Sequence, residues 1–140
     1  MSTDQNKTVY RRFLEQGFNQ GRLDVVDEVL SPSYVNRDAP PGSPSGPEGV
    51  KQIINTFRAA FPDLQITIEE LVAEGDKVCA RSTMRGTHRG VLFGLAPTGK
   101  AVAMAGLTMV TVVDGRLVES YVRNDVAGLM SQLGAGAPAR

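Results

Sequence analysis

After Asp63 the spacing of apolar residues changes from a helical period to a period of two, and this switch constrains the fold more than any other feature. Helices gathered in the first half and strands in the second indicate an α+β domain rather than alternating βαβ units. Before the switch, Val9, Phe13, Leu14 and Phe18 form one stripe of a helix that Gly21 would stop. Leu23, Val26 and Leu30 mark a second short helix ending near Ser31-Pro32, and Tyr34-Val35-Asn36 a brief strand. A Pro- and Gly-rich loop over 40–49 follows. Pro47 opens a third helix, whose stripe of Val50, Ile53, Ile54, Phe57, Ala60 and Phe61 ends at Phe61-Pro62-Asp63.

Beyond the switch Ile66 and Ile68 alternate, then Leu71 and Ala73 alternate on the opposite parity, which predicts a bulge near Glu69-Glu70. Gly75-Asp76 is the size of a two-residue hairpin turn. In the next strand Arg81, Arg85 and Arg89 mark the odd positions as outward, placing Val78, Ala80, Met84 and His88 inward. Residues 101–113 are almost continuously apolar, as expected of a strand buried on both faces. Asp114-Gly115 predicts a type I′ turn. A two-residue loop there pairs Met104 with Asp125, Gly106 with Arg123, Thr108 with Tyr121 and Val110 with Glu119, all on one face. Ala105, Leu107, Met109 and Thr111 fall on the other. Helices suffice for only one face, so a second subunit is expected on the other.

Val126 to Leu133 reads as a short C-terminal helix with Asp125 at its N-cap and Gly134 past its end. Residues 1–134 are thus expected to form one domain, with 135–140 a disordered tail. Three helices on a curved antiparallel sheet of about four long strands would leave a cone-shaped cavity for a small molecule.

Composition narrows the chemistry. One His and one Cys among 140 residues cannot supply a zinc site or a disulfide framework, so no metal is expected. A formal net charge of zero argues against a nucleic-acid partner. The polar N-terminus and the absence of a long apolar run point to a cytoplasmic protein without membrane attachment. Any proton transfer must then run on carboxylates, hydroxyls and one imidazole.

Asp125 is the leading catalytic candidate. The predicted register places it on the cavity face with Met104, Thr108 and Tyr121, and burial is how enzymes tune a carboxyl for proton transfer. Its competing role is the helix cap. His88, the second candidate, could donate to a substrate oxygen or shuttle a proton; an inward His can equally be a satisfied structural residue. Tyr34 and Asn36 could orient a ligand, and Phe57, Phe61, Met84, Phe93 and Met104 would line the apolar wall. Arg123 could reach a ligand carboxylate, or pair with Asp125 and keep that carboxyl ionised.

Gly46-Pro47-Glu48-Gly49, Arg58 to Asp63, Glu74 to Val78, Gly86-Thr87-His88-Arg89-Gly90, Pro97-Thr98-Gly99, Asp114 to Glu119, Asp125 and Gln132-Leu133-Gly134 follow one another in order. Together they resemble the SnoaL-like polyketide cyclase (ester cyclase) family of the NTF2-like superfamily, over about residues 8 to 134. The resemblance implies a cone-shaped α+β barrel, a homodimer or tetramer built through the sheet, and no metal or organic cofactor. It also implies that the Asp matching Asp125 acts as acid and base in an intramolecular aldol ring closure. The chain departs from the family at Tyr121, where Trp is usual, and at Arg37, where His is common.

The expected function is therefore a cofactor-independent cyclase of a hydrophobic polyketide-like substrate. Asp125 would move the proton, and His88, Tyr121 and Asn36 would orient carbonyl oxygens. The alternatives are a non-catalytic small-molecule-binding protein, in which Asp125 only caps a helix, and a hydroxylase or isomerase using the same pocket.

Overall fold

The computed structural model describes residues 2–134; the expected tail at 135–140 lies outside them. Helix α1 (Thr3–Arg12) opens on a reciprocal cap, in which the Ser2 hydroxyl accepts from the Gln5 amide and the Gln5 side chain accepts from the Ser2 amide. It runs into a π-helical stretch at Phe13–Asn19, whose wider turn buries Phe13, Leu14 and Gly17. Gly21, with φ of 69°, ends it as expected. Helix α2 (Leu23–Val29) is followed by strand β1 (Leu30–Asn36), which starts earlier than Tyr34 because Leu30 already belongs to the sheet. Helix α3 (Gly46–Ala60) has Pro in its first turn and buries Val50, Ile54 and Ala60.

Strands β2 (Gln65–Glu74), β3 (Lys77–Thr87), β4 (Ala101–Val113) and β5 (Arg116–Asn124) then form a meander, closed by helix α4 (Val126–Gln132). The sheet order is β1-β5-β4-β3-β2. It is open and mixed rather than wholly antiparallel, because β1 joins β5 in parallel. The β2 bulge falls between Ile68 and Glu70, and Glu74 pairs with Lys77 across the Gly75-Asp76 turn. Asp114 and Gly115 both have positive φ, 50° and 78°, as a type I′ turn requires.

Strand β4 differs from its expected double burial. Val102, Met104, Gly106 and Val110 are buried, whereas Ala103, Ala105, Leu107 and Met109 between them are exposed. The buried face carries two apolar clusters. The lower one joins Tyr10, Phe13, Val25, Val26, Tyr34 and Ile54 to Val78, Ala80, Val110 and Leu117. The upper one joins Ala60, Phe61, Leu64, Met84, Leu92, Val102 and Met104 to Leu129 and Leu133 of the C-terminal helix region. Among the described residues no helix is long and apolar enough to cross a membrane.

Candidate functional site

The β4–β5 register corrects the predicted pairing. Val113 faces Arg116 and Val112 faces Leu117, as the two-residue turn requires. Val118 is then an extra residue on β5, so Thr111 faces Glu119 and every later pair moves by one. Val110 faces Ser120, Thr108 faces Val122 and Gly106 faces Asn124. Ser120, Val122 and Asn124 therefore share the parity of the inner face, while Glu119, Tyr121 and Arg123 share that of the outer one. Tyr121 is 42% exposed there, opposite Met109. Arg123 faces Leu107 and pairs with Asp38, not with Asp125. Tyr121 and Arg123 are thus not brought together with Met104 and Thr108.

Physical necessity explains the bulge. Without it Glu119 would enter an apolar face unpaired, at a cost of several kcal/mol. Outward, it accepts from Arg37 Nε at 2.7 Å, and the guanidinium holds its carboxyl below the usual glutamate range. Inward, the hydroxyl of Ser120 meets that of Tyr34 in a buried pair. Asn36, half-buried, accepts from the Asp38 amide at 2.9 Å, turning the chain so that Asp38 accepts from the Val122 amide at 2.6 Å.

Along the inner face, burial is interrupted between the two clusters. Ala80, Met84, Met104 and Val110 are almost fully buried, yet Ser82, Thr108 and Val122 retain exposure in mid-sheet, as does Phe57 on α3. These four mark a cleft floored by β3, β4 and β5. Tyr10 lies under it beside Thr108; burial pushes its phenol up to about 12, so the ring stays a neutral donor. Ser82, Val122 and Asn124 were missed by the sequence reading. An unpaired Glu119 inside an apolar face was the available signal for the bulge that places them.

Phe57, Phe61, Met84 and Met104 do come together in the upper cluster. Phe57 stacks on Phe61 at 6.3 Å and meets Phe93 edge-on at 6.0 Å. Tyr34 belongs instead to the lower cluster. His88 is wholly buried at the end of β3, inward as predicted, 5.7 Å from the Phe61 ring.

Asp125 follows the inner-face Asn124 but is exposed and occupies the outward parity, its amide donating to the Ala105 carbonyl at 2.9 Å. The expected burial with Met104 is overturned by the bulge. Its carboxylate caps α4, Oδ1 accepting from the Gly128 amide at 2.9 Å. A Cβ on Gly128 would stand 2.2 Å from Oδ2, so the glycine is what lets the carboxylate lie there. Two other clefts, of about 230 and 240 Å³, open along α1 and β2 and at the hairpin tips; neither is lined by these residues.

Residues 8–133 match the SnoaL-like polyketide cyclase family. The chain belongs to that family. Nogalonic acid methyl ester cyclase of Streptomyces nogalater is 32% identical over 120 residues, covering 84% of this chain and 89% of that protein. Aklanonic acid methyl ester cyclase DnrD of Streptomyces peucetius is 30% identical over 132 residues, 91% of this chain and 90% of that one. Among solved structures, TsrD from Streptomyces laurentii superposes with a TM-score of 0.88 at 28% identity, over 96% of this chain and 98% of that one. Wild-type IdmH of Streptomyces antibioticus, described as a putative polyketide cyclase, gives 0.81 at 34%, over 94% and 99%. The open α+β fold and a polyketide-cyclase kind of enzyme are thereby supported for this SnoaL-like chain.

Proposed function

We propose that this SnoaL-like protein closes a carbon ring in an apolar polyketide ester without a cofactor, holding the substrate against the inner face of the sheet. The observation that carries this reading is the interrupted burial at Ser82, Thr108, Val122 and Phe57, between two closed clusters. The named activities of the methyl ester cyclases among its relatives support the substrate class. Confinement would supply much of the acceleration, since folding a flexible chain into a reactive conformer removes a large entropic barrier.

In this reading Asp125, at the start of the helix that roofs the upper cluster, takes the proton alpha to a carbonyl and returns it to the alkoxide formed on ring closure. The Gly128 amide fixes Oδ1 and leaves Oδ2 to accept. Asp125→Asn retains a good helix cap. It is expected to stay folded and to lose about 10²- to 10⁴-fold in the rate of cyclisation of a polyketide methyl ester, followed by mass spectrometry.

One observation favours a second reading. Asp125 is exposed, lies on the outward parity and is hydrogen-bonded as a cap. If capping is its whole role, Asp125→Asn leaves turnover unchanged, while Asp125→Ala costs about 1 kcal/mol of stability. The proton would then move between the substrate and solvent, with ring closure driven by confinement and neutral donors of the cleft. The reading also includes a homo-oligomer formed through the outward sheet face.

A further inference from the structure

His88 makes four hydrogen bonds with the segment just before β4, and all four use the same side of the residue. Its amide donates to the Lys100 carbonyl at 2.9 Å and its carbonyl accepts from the Gly99 amide at 2.8 Å. Nδ1 accepts from the Thr98 amide at 3.1 Å and lies 3.0 Å from the Thr98 hydroxyl. A backbone N–H can only donate, so Nδ1 carries no proton and the neutral ring carries it on Nε2. These bonds account fully for Nδ1 as the anchor of the 89–100 loop. They leave Nε2–H, buried and without a protein partner. A buried donor left unpaired is costly, and such a group calls for an explanation.

The surroundings of Nε2 indicate what would meet it. The His88 ring lies 5.7 Å from Phe61, which stacks on Phe57, which meets Phe93 edge-on. Phe93 is 60% exposed, so a row of aromatic rings leads from the surface to the buried imidazole. Phe93 also stands at φ of 48°, a conformation rare for a bulky residue, in a tight turn closed by Leu92 and Leu95. Such strain gathers where a side chain must be held in one place for function. Gly86 keeps the row closed, because a Cβ there would stand 2.8 Å from the Phe61 Cβ.

We propose that the two nitrogens of His88 have separate tasks. Nδ1 fastens the 89–100 loop, and Nε2–H donates a hydrogen bond to a carbonyl or phenol oxygen of a planar, multi-ring aromatic ligand seated along Phe93, Phe57 and Phe61. This rests on the cyclase reading in that the natural ligand is the polyketide itself. It makes His88 a neutral binding and positioning donor rather than a proton shuttle.

His88 is the only histidine in the chain, so its two ring nitrogens give unambiguous signals in ¹⁵N NMR. The wild-type protein is titrated with 1,8-dihydroxyanthraquinone and with anthracene, its oxygen-free counterpart. The expected result is a ring protonated at Nε2, with the Nε2 signal moving on saturation with the quinone, the Nδ1 signal hardly moving, and neither moving with anthracene. His88→Asn retains an acceptor near Nδ1 and removes Nε2; it should bind the quinone about three- to tenfold more weakly and anthracene equally well. His88→Gln, which reaches the Nε2 position but loses the loop anchor, should lower Tm and keep more of the quinone affinity. Saturable binding with an unmoved Nε2 overturns the proposal, as does no binding of either probe; should His88→Asn not fold, the wild-type titration still decides. Turnover of a polyketide methyl ester is measured separately. A protein that turns over such an ester without the Nε2 response keeps the cyclase reading and loses the anchor. One that shows the response and closes no ring keeps the anchor and loses the cyclase.

Discussion

At the scale of single residues, the loop that His88 fastens is held as much by an absence as by bonds. A Cβ on Gly90 would stand 2.2 Å from the Ala59 carbonyl oxygen, where only backbone could yield. The amides of Arg89 and Gly90 both donate to the Ala60 carbonyl, at 2.9 and 3.1 Å, seating the loop on the end of α3. Gly90→Ala should therefore destabilise by about 1–3 kcal/mol, the usual cost of forcing an atom into a packed site, and calorimetry should show a lower Tm. Close by, Asp63 accepts from the amide and the hydroxyl of Thr87 at 2.7 and 2.8 Å. Those bonds hold its carboxyl below the usual aspartate range. A carboxyl lowered on folding contributes stability that is present above its ordinary pKa of about 4 and is lost as pH falls through the folded value. Denaturant titrations should thus show the gap between wild type and Asp63→Asn narrowing from pH 7 to pH 3. Because a backbone amide is the main partner, high salt should leave that gap at pH 7, whereas it should shrink the contribution of the Asp38–Arg123 ion pair. Parity alone put His88 inside; that Nδ1 is already occupied by Thr98 depends on a loop fold that strand periodicity does not encode.

At the scale of elements, the two bulges show what made a register readable. In β2 the hydrophobic parity itself flips, Ile66 and Ile68 against Leu71 and Ala73, and the bulge lies where the flip predicts. In β5 the residues after Val118 are too mixed in character to show a flip, and the turn chemistry of Asp114-Gly115 sets the pairing only as far as Val112 and Leu117. One uncounted residue then exchanges the faces of Tyr121 and Arg123 with those of Val122 and Asn124. Deleting Val118 should make the sheet regular and unfold it. Glu119 would turn inward without Arg37, Ser120 would leave Tyr34, and each change removes a partner from a polar group that needs one. The expected outcome is a loss of several kcal/mol, seen as insoluble expression or loss of the cooperative thermal transition. Substituting Val118 by Thr, which keeps the extra residue, should leave the fold intact. The π-helical stretch was equally invisible, since Phe13, Leu14 and Phe18 fit an α-helical stripe. Its extra width delivers Asn19 to Ile66, where the side chain accepts from the amide at 2.7 Å and donates to the carbonyl at 3.0 Å. That pair satisfies part of the β2 edge, which no neighbouring strand covers.

For the whole molecule, the switch of period was enough to predict helices on one face of a sheet, because layer architecture follows from which faces must be buried. Closure was not readable: β1 adds to β5 in parallel and the sheet stays open. The other face argues for association. Met109 lies between Cys79 and Tyr121 in the register, and Leu107 between Arg81 and Arg123. Leu107, Met109 and Tyr121 are 53%, 41% and 42% exposed, on the central strands of a sheet where a lone domain would place polar side chains. The Arg81, Arg123, Glu70 and Glu119 side chains around them have the character of a polar rim. A two-fold partner laid on this face would cover the apolar row with its own copy, at the roughly 800 Å² per partner of a standard interface. Sedimentation of the wild-type chain at micromolar concentration should then give a dimer or tetramer, with a Tm that rises with protein concentration. Leu107→Asp places a charge at the centre of that row, away from both inner clusters, and should yield a folded monomer of unchanged secondary structure by circular dichroism. A wild-type protein that sediments as a monomer, or a Leu107→Asp variant as large as wild type, would show that this face is simply solvated. Since the inner cleft is floored by the same three strands, quinone binding measured on the monomeric variant tests whether each subunit carries a complete site; the fold described, with every cleft residue on one chain, predicts equal affinity.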